Sequence, residues 1–323
     1  MRESINILFT CIGRRVSLLR SFRRAAGRLK LRVKFFGSDI TQLSSALQLC
    51  DKKFLVKPTK HRGYINELLT IVKKHKINLI IPTVDLDLNI LAKAKQRFAE
   101  IGCLVLVSKP EVIDICQDKR KTYQFLTNNG FDTPHTMTAT KALSSRRLKW
   151  PRFLKPSDGS ASKGNALVRN REELQVFTRR IPNCIVQEYI EGHEYTCDVY
   201  VDLDFKVRCV VPRMRIEVRS GEVSKSKIIK DRRIMSTTQR LVEILKAGPG
   251  VITIQLIHSN VGDLKFIEIN PRFGGGVPLS IKAGADFPYW LLAELIGRRV
   301  RIQPEGFEDG LVMLRYDDEV WFQ

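Results

Sequence analysis

Phe266-Ile267-Glu268-Ile269-Asn270-Pro271-Arg272 is the stretch of sequence that decides the fold and the chemistry of this chain. In an extended strand, residues i and i+2 project from the same face, so Glu268 and Asn270 point together. Gln255 lies on the preceding apolar run and is expected opposite them across a hairpin, which adds an amide oxygen. Hard oxygen ligands of this kind suit Mg²⁺ ions that also bridge nucleotide phosphates. The pattern therefore predicts a metal site on Gln255, Glu268 and Asn270.

Arg272 extends this pattern by two residues. Its guanidinium offers a fork of donors for a phosphoryl group in transfer. Taken alone, a Glu-x-Asn strand is typical of a polar face that is exposed to solvent and has no function. The combination with Gln255, Arg272 and the run Gly274 to Gly276 favours a functional site instead.

Lys155 stands at the end of a short apolar run, directly before a segment of small residues from Ser157 to Gly164. Small residues let backbone N–H groups close over phosphates, while a lysine supplies a point charge to the same oxygens. Such a loop alone is more typical of a hairpin turn. Lys119, at the head of a predicted helix, is placed to reach the same phosphates. The candidate phosphate-binding residues are Lys119, Lys155, Ser157, Gly159, Ser160 and Gly164.

The segment Val186 to Glu194 joins two predicted strands through an acidic turn. A strand edge offers backbone groups that match adenine, and Glu188 is placed to accept from an exocyclic amine. Glu194 is placed to accept from ribose hydroxyls. Taken by itself, the segment is also compatible with an exposed acidic turn. The candidate nucleotide-binding residues here are Glu188, Tyr189, Ile190 and Glu194.

The hydrophobic pattern divides the chain into two parts. Short continuous apolar strands alternate with amphipathic helices up to about residue 115, which predicts a parallel sheet covered on both faces. A helix over 119–128 ends at Asn129-Gly130. From residue 152 onward the strands look antiparallel and turn-connected, and helices near 171–180, 232–247 and 286–296 are interspersed. The second part is therefore predicted to be α+β.

Taken in this order, the motifs resemble the ATP-grasp superfamily, most closely stand-alone proteins similar to one half of the carbamoyl-phosphate synthase large chain and to biotin carboxylase. The resemblance implies a Rossmann-like α/β N-terminal domain over 1–115, followed by an α+β ATP-grasp domain. Its small lobe, with the lid loop, is expected over 116–186 and its large lobe over 187–323. One feature departs from carbamoyl-phosphate synthase, because this chain has one half only, so synthesis of carbamoyl phosphate is not predicted.

The resemblance also implies roles for the candidate residues. Lys119 and Lys155 would hold the ATP phosphates, the stretch from Glu188 to Ile190 would receive adenine, and Glu194 would bind ribose. Gln255, Glu268 and Asn270 would ligate Mg²⁺, or Mn²⁺ in its place, and Arg272 and Lys155 would act on the transferred phosphoryl. The implied reaction activates a carboxylate as an acyl phosphate, which an amine then attacks, with release of ADP and phosphate. Relatives often dimerise, so a homodimer is left open.

The second substrate is expected beside the metal site, on the charged segment from Pro212 to Lys225. Alternate spacing predicts that Arg213, Arg215, Glu217 and Arg219 share one face. Paired arginines suit a carboxylate, and an exposed ladder of cross-strand ion pairs remains an equal alternative. The candidate substrate residues are Arg213, Arg215, Glu222 and Gly275.

Polar residues in the N-terminal part follow the ends of predicted strands, where open parallel sheets bind ligands. They are the segment from Thr10 to Arg14, Asp39, Asp85 and Asp87. A single glycine after the first strand, at Gly13, is too little for the full dinucleotide-binding fingerprint, so an oxidoreductase is the weaker alternative.

The net charge of +21 favours an anionic partner without choosing among phosphates, acids and nucleic acid. A non-catalytic binder of RNA or another polyanion is therefore a second alternative. Arg20, Arg24 and Arg28 lie on one face of the first predicted helix, which favours a solvated basic face. Seven scattered cysteines predict neither disulfides nor a zinc site. The start of the chain shows no secretion signal and no segment suggests a membrane span, so a cytoplasmic location is expected.

Overall fold

The computed structural model describes residues 4–158 and 164–323. Its first part is a parallel sheet in the order β3-β2-β1-β4-β5, as the alternation of strands and helices predicts. The elements are β1 (Ser4–Thr10), α1 (Val16–Leu29), β2 (Arg32–Asp39), α2 (Ser45–Gln48), β3 (Lys52–Leu55), α3 (Tyr64–His75), β4 (Leu79–Pro82), α4 (Leu88–Ala99) and β5 (Leu104–Val105).

Both faces of this sheet are buried, which explains the continuous apolar character of its strands. Ile7 and Phe9 of β1 belong to one core with Phe22 of α1, and the rings of Phe9 and Phe22 meet edge to face at 5.2 Å. Leu8, between them in sequence, belongs to the opposite core with Leu68 of α3. Successive side chains of a strand point to opposite faces, so a strand covered on both sides has no polar alternation.

A four-stranded antiparallel sheet follows, in the order β6-β9-β7-β8. Asp118 caps the helix that begins at Lys119 by accepting from the backbone N–H of Arg120. Asn170 caps the helix that begins at Arg171 by accepting from the backbone N–H of Glu173. These caps fix where each helix begins. The elements are α5 (Pro110–Gln117), α6 (Lys119–Asn128), β6 (Thr136–Thr138), α7 (Ala139–Ser144), β7 (Arg152–Pro156), β8 (Ala166–Val168), α8 (Arg171–Arg180) and β9 (Cys184–Glu188).

The rest of the described chain is built on a six-stranded sheet in the order β14-β13-β10-β11-β12-β15. All its neighbouring strands are antiparallel, as predicted. The elements are β10 (Gly192–Val201), β11 (Val207–Arg219), β12 (Glu222–Ile228), α9 (Arg232–Leu245), β13 (Gly250–Ser259), β14 (Leu264–Asn270), α10 (Val277–Lys282), α11 (Phe287–Leu295) and β15 (Val312–Leu314).

The sequence-based boundaries need correction at several places. The apolar run from Phe205 to Val211 predicts a strand, but β11 begins at Val207, because Phe205 has a left-handed φ of 64° in the turn before it. The apolar run over 104–107 likewise predicts a strand, and β5 ends at Val105. Short elements were not predicted, since three to eight residues carry little periodicity. They are α2, β3, α5, β6, α7, α10 and β15.

The domain limits stay a prediction, although one boundary can be related to the strands. The expected division at 186/187 falls inside β9, whose pairing partners β6 and β7 both lie in the four-stranded sheet. The first residue paired in the six-stranded sheet is Gly192. The change of sheet therefore comes a few residues later than the sequence suggested.

The basic face of α1 is exposed at Arg20, Arg24 and Arg28, as the sequence predicts, and two of these arginines also form ion pairs. Arg20 pairs with Asp318, and Arg28 pairs with Asp286 and lies over the ring of Tyr289. Arg24 and Arg28 line a second cavity of about 480 Å³ against α11. The basic face thus serves partly to dock α1 on the C-terminal helices.

All seven cysteines are free thiols, and most of them are buried. Every helix in the described part of the chain is too short or too polar to span a bilayer.

Candidate active site

A cavity of about 700 Å³ lies where the three sheets meet. The N-terminal part contributes Arg15, which follows β1, and Asp85, which follows β4, both at the carboxyl ends of parallel strands. The four-stranded sheet contributes Lys155 of β7 and the end of β9, and the six-stranded sheet contributes side chains of β10, β11, β13 and β14. This volume is within the usual range for a ligand site.

The centre of the cavity is the hairpin of β13 and β14. Gln255 lies directly opposite Glu268, and Thr253 lies opposite Asn270, so the four side chains share the face that lines the cavity. The predicted cross-strand placement of Gln255 is therefore confirmed. A register shift beside Gln255 leaves Ile267 without a paired residue, and Ile267 also lines the cavity.

Two lysines stand at one end of the cavity. Lys155 is buried at 6% exposure, and burial lowers the pKa of its ammonium to about 8; Lys119 adds to this shift, whereas Glu268 and Glu194 oppose it. The backbone N–H of Lys119 donates to the carbonyl of Ser157 at 2.9 Å, which ties the start of α6 to the end of β7. A cation this deeply buried indicates a site that receives negative charge.

The end of β9 forms another wall of the cavity. The backbone N–H of Glu188 donates to the carbonyl of His135, and the backbone N–H of His135 donates to Glu188 Oε2 at 3.2 Å. Tyr189 and Ile190 continue along the cavity wall, and the apolar side chains of Phe153 and Ile257 also line it. Polar strand-end groups beside apolar side chains suit a flat, partly polar ring.

Glu194 lines the cavity from β10, one sheet away from Glu188. Its Oε1 lies 3.1 Å from Arg215 Nε, which is an ion-pair distance without hydrogen-bond geometry. Burial raises the pKa of Glu194, and Arg215 opposes the shift.

Arg272 follows the hairpin of β13 and β14 and links it to the N-terminal part. Its Nη2 donates to Asp85 Oδ2 at 2.7 Å and to Asn270 Oδ1 at 3.3 Å. The guanidinium is thus held beside the Glu268 and Asn270 face by a carboxylate that is distant in sequence. A bidentate donor in this position can reach an anion in the cavity only by sharing or leaving Asp85.

Arg213 is not a simple member of an exposed ladder. It is 1% exposed, and its Nε and Nη2 donate to the two oxygens of Asp198 at 2.7 and 3.0 Å. Ser280 Oγ donates to the same carboxylate at 2.6 Å. Arg213 Nη1 is buried and has no hydrogen-bond partner among the described residues, although Arg213 lines the cavity.

The expectation that Arg213, Arg215, Glu217 and Arg219 share one face is wrong. Register shifts between Arg215 and Glu217, and again between Glu217 and Val218, break the two-residue alternation. Arg213 and Arg215 line the cavity, and Val218 lines it beyond the shifts. Glu217 instead pairs on the surface with Arg219 and Lys225.

Glu222 and Gly275, two predicted substrate residues, lie close together in the wall of the cavity. Glu222 lies between two arginines, with Oε1 at 3.3 Å from Arg15 Nη1 and Oε2 at 3.2 Å from Arg315 Nη1. Arg315 Nη2 also donates to the carbonyl of Gly275. The predicted residues are thus joined by two arginines that sequence reasoning did not assign.

Several of the predicted site residues lie away from the cavity, and two lie outside the part of the chain that the structure describes. Ser157 is buried and its N–H donates to Asn183 O, whereas Gly164 packs against Pro156; neither lines the cavity. Gly159 and Ser160 lie outside the described residues. Asp87 is fully buried and accepts from Tyr64 Oη at 3.2 Å, so it does not reach the cavity.

Asp39 does not support a dinucleotide site. Its Oδ2 accepts from Gly13 N–H at 2.8 Å and its Oδ1 accepts from Ile40 N–H at 2.7 Å. Both oxygens are therefore engaged in holding the loop after β1. A ribose hydroxyl would have to compete with these backbone donors.

Among the described residues, no group of three or more His, Cys, Asp or Glu side chains is placed to hold a metal ion. Glu268 with the amide oxygens of Gln255 and Asn270 is an incomplete shell for Mg²⁺. Such a set suits an ion whose remaining ligands are water and phosphate oxygens.

Gly276 allows close approach of the backbone to Arg213, and a side chain there is expected to be costly. An added Cβ would lie 2.3 Å from Arg213 Nη1, and the guanidinium is fixed by Asp198. We expect Gly276→Ala to lower the free energy of unfolding by about 1–3 kcal/mol through overpacking. Denaturant unfolding measures this loss.

Gly27→Ala is the matched control for this substitution. Gly27 lies within α1 and a Cβ there meets nothing within 4 Å, so the change is expected to stabilise by roughly 0.5–1 kcal/mol. Equal stability of the two variants would contradict the proposed fixed position of Arg213.

Comparison with known proteins agrees with this architecture. The ATP-grasp domain family matches residues 116–276, and the PylC-like N-terminal domain family matches residues 7–106. The biotin carboxylase domain of 2-oxoglutarate carboxylase from Hydrogenobacter thermophilus, solved as a dimer with MgADP, ADP and bicarbonate, superposes with a TM-score of 0.74. It is 18% identical, and the match covers 95% of this chain and 73% of that one.

Two curated relatives match by sequence. The D-alanine–D-alanine ligase of Bacillus anthracis is 25% identical over 153 residues, which are 42% of this chain and 50% of the relative. The carbamoyl phosphate synthase large chain of Campylobacter jejuni is 25% identical over 210 residues, 59% of this chain and 19% of the relative. The chain thus spans half the length, or less, of these curated relatives.

Proposed function

Because the chain belongs to the ATP-grasp family and joins that domain to a PylC-like N-terminal domain, we propose that it is an ATP- and magnesium-dependent carboxylate–amine ligase. The observation that carries the proposal is the cavity in which Lys155, Glu268 and Arg272 meet. This cavity combines a buried cation, a carboxylate and amide oxygen set, and a guanidinium within one site. Such a combination suits phosphoryl transfer, which depends on positioning and charge stabilisation.

In this proposal ATP occupies the end of the cavity formed by Lys119, Lys155 and the last residues of β9. The residues fit a nucleotide in three respects: a lysine pair for phosphates, strand-end groups beside apolar walls for adenine, and Glu194 for ribose. Ser157, Gly159, Ser160 and Gly164 belong to the proposed lid over the phosphates. The named D-alanine–D-alanine ligase relative supports an ATP-using ligase in general terms.

The metal would be held by Glu268, Asn270 and Gln255, with phosphate oxygens and water completing its shell. Bound there, Mg²⁺ or Mn²⁺ would neutralise charge on the phosphates during transfer. Asn270 Oδ1 accepts from Arg272 in the structure, so ligation requires this contact to be shared or released. Arg272 would then be available to the transferred phosphoryl.

The proposed reaction has two steps. An oxygen of the substrate carboxylate attacks the terminal phosphorus of ATP, and the bond to ADP breaks, which leaves an acyl phosphate. The amine then attacks the acyl carbon, phosphate departs, and the amine nitrogen loses a proton. Lys155 and Arg272 would stabilise the developing phosphate charge, and no side chain is needed as a covalent nucleophile.

The acid would bind where Arg213, Arg215, Glu222 and Gly275 line the cavity. The buried Nη1 of Arg213, without a partner among the described residues, supports binding of an anionic group there. We extend the proposal to an anionic acid, a soluble location in the cytoplasm and, by analogy with the dimeric relative, a homodimer.

The test is release of ADP from Mg-ATP in a screen of acids crossed with amines, with mass spectrometry of the product. We expect ADP to appear only when an acid is present, and a condensed acid–amine product to accompany it. ATP hydrolysis that is independent of every acid would contradict the ligase proposal. Binding of RNA that depends steeply on salt but not on ATP would favour the alternative of a polyanion binder.

The pH dependence of nucleotide binding offers a further prediction, which concerns Lys155. The pKa of this lysine in the free protein is about 8, and only its protonated form attracts phosphate. Mg-ADP binding is therefore expected to be about tenfold weaker at pH 9 than at pH 7. Calorimetric titration across this range measures the change.

Lys155→Gln is the control for the titrating group. It is expected to bind Mg-ADP more weakly than the wild type at pH 7 and to lose most of the pH dependence. An unchanged slope in this variant would exclude Lys155 as the group. The effect of pH on stability has the opposite sign. The unfolded chain binds the lysine proton more tightly than the folded chain does. The contribution of Lys155 to stability therefore rises as the pH increases from about 8 to 10.5, which is the ordinary pKa of this side chain.

A further inference from the structure

We infer that the acid bound by this protein carries a second anionic group, held by Arg15 and Arg315 on either side of Glu222. The inference rests on the proposed function, because it concerns the substrate class of the same cavity. It goes beyond that function by assigning a second anion subsite to two arginines. Neither arginine is among the residues proposed for nucleotide or metal binding.

Three distant segments converge at this subsite. Arg15 directly precedes α1, Glu222 begins β12, and Arg315 directly follows β15. Glu222 contacts both guanidiniums at 3.3 and 3.2 Å, and Arg315 also donates to the carbonyl of Gly275. Arg15, Glu222 and Gly275 line the cavity, and Arg315 contacts Glu222 and Gly275.

The close approach depends on glycine at position 275. An added Cβ would lie 2.8 Å from Arg15 Nη1 and 3.3 Å from Glu222 Oε2. The backbone therefore passes directly against the guanidinium and the carboxylate. An incoming group that reaches Gly275 reaches Arg15 as well.

Two arginines share one carboxylate at this subsite. Arg272, Arg213 and Arg215 each face a carboxylate of their own, on Asp85, Asp198 and Glu194 respectively. Arg15 and Arg315, in contrast, share the single carboxylate of Glu222. Glu222 therefore has two arginine partners, whereas each of the other three carboxylates is paired with one arginine.

Electrostatics within the subsite point the same way. Burial lowers the pKa of Arg15, and the positive charges of Arg272 and Arg315 lower it further, against the opposing effect of Glu222. Although burial opposes it, Arg15, Arg315 and Arg14 together lower the pKa of Glu222. Like charges held this close are relieved when a further anion binds between them.

Arg213 is assigned to one end of the acid, and Arg15 and Arg315 are assigned to the other end. The unpartnered Nη1 of Arg213 lies beneath Gly276, near the metal face, and suits the carboxylate that reacts. Arg15 and Arg315 lie next to Gly275, one residue earlier, and suit the group that does not react. A dicarboxylic acid or an acid with a phosphate at its far end has the required chemistry.

The experiment measures binding of acids to the protein saturated with Mg-ADP, without turnover. One arm uses α,ω-dicarboxylates from malonate to adipate against their monomethyl esters. The other uses ω-phosphonocarboxylates of the same lengths against the matching monocarboxylates. We expect at least one doubly anionic acid to bind about tenfold or more tightly than its singly charged partner, and the preferred arm identifies the second group.

Variants of the subsite complete the test. Arg15→Gln and Arg315→Gln are expected to reduce the preference for the doubly charged acid to about threefold or less. Arg20→Gln, on the surface of α1 and paired with Asp318, is the matched control and should keep the preference. Titration with Mg-ADP beforehand reports whether each variant is folded.

Two outcomes would overturn the inference. Equal affinity for every doubly and singly charged pair would remove the second anion, and a preference that survives both substitutions would remove the two arginines. Failure of the proposed ligase function looks different, because it concerns ADP release in the screen of acids and amines. An enzyme that ligates singly charged acids equally well would keep its proposed function and lose only this subsite.

Discussion

Replacing Glu268 with glutamine is expected to lower kcat for acid-dependent ADP release by about 10²- to 10³-fold. Glu268 supplies the carboxylate of the proposed metal set and lies directly opposite Gln255 in the hairpin of β13 and β14. Glutamine keeps the size and the strand pairing but removes the negative charge that a divalent ion requires. The two remaining groups of the set are amides, which are weak ligands without a carboxylate.

The measurement is the steady-state rate of ADP release at saturating Mg-ATP, with an apparent affinity for Mg²⁺ from the same assay. Asn270→Ala is expected to act in the same direction. Glu191→Gln changes an exposed carboxylate of the turn between β9 and β10 that does not line the cavity, so it should behave as wild type. Wild-type turnover by Glu268→Gln would remove Glu268 from the metal site.

The central hairpin was predictable from sequence because all its information is local. Gln255 and Glu268 are thirteen positions apart, and the turn from Ser259 to Asp263 sets which residues face each other. The parallel sheet was predictable for the same reason, since each strand and its covering helix are neighbours in sequence. In both cases the periodicity alone determines which face is buried.

The rest of the site depends on contacts between distant segments, which no local pattern encodes. Arg15 meets Glu222 although they are about 200 residues apart, and Arg315 meets Glu222 across 93 residues. Asp85 meets Arg272 across the boundary between the parallel sheet and the six-stranded sheet. The register shifts in β11 are likewise not encoded by a local sequence pattern. An alternating run of charges predicts one common face, and an extra residue in the strand redirects the side chains after Arg215.

Asp198 shows how a buried partner changes the meaning of a sequence motif. In the sequence, Arg213 belongs to a run of alternating charged residues, which marks it as a candidate. Asp198 lies in an apolar stretch of β10 and belongs to no recognisable motif. The structure pairs them at 0–2% side-chain exposure, with Ser280 as a third member. Arg213 is therefore held rigidly, with only Nη1 left for a ligand. Its position in the proposed site depends on a residue that never touches the cavity.

Asp198→Ala is accordingly expected to lower the free energy of unfolding by about 3–5 kcal/mol, because it leaves the Arg213 guanidinium buried without its counter-charge. Denaturant unfolding measures the loss, and Asp114→Ala, which removes one partner of the exposed Lys121 ion pair, should cost less than about 1 kcal/mol. The double variant Asp198→Leu with Arg213→Met removes both charges, so it is expected to be more stable than Asp198→Ala, while the proposed site loses its affinity for the acid. If Asp198→Ala proves as mild as Asp114→Ala, the pair does not fix Arg213, and the position of the reacting carboxylate must depend on other contacts.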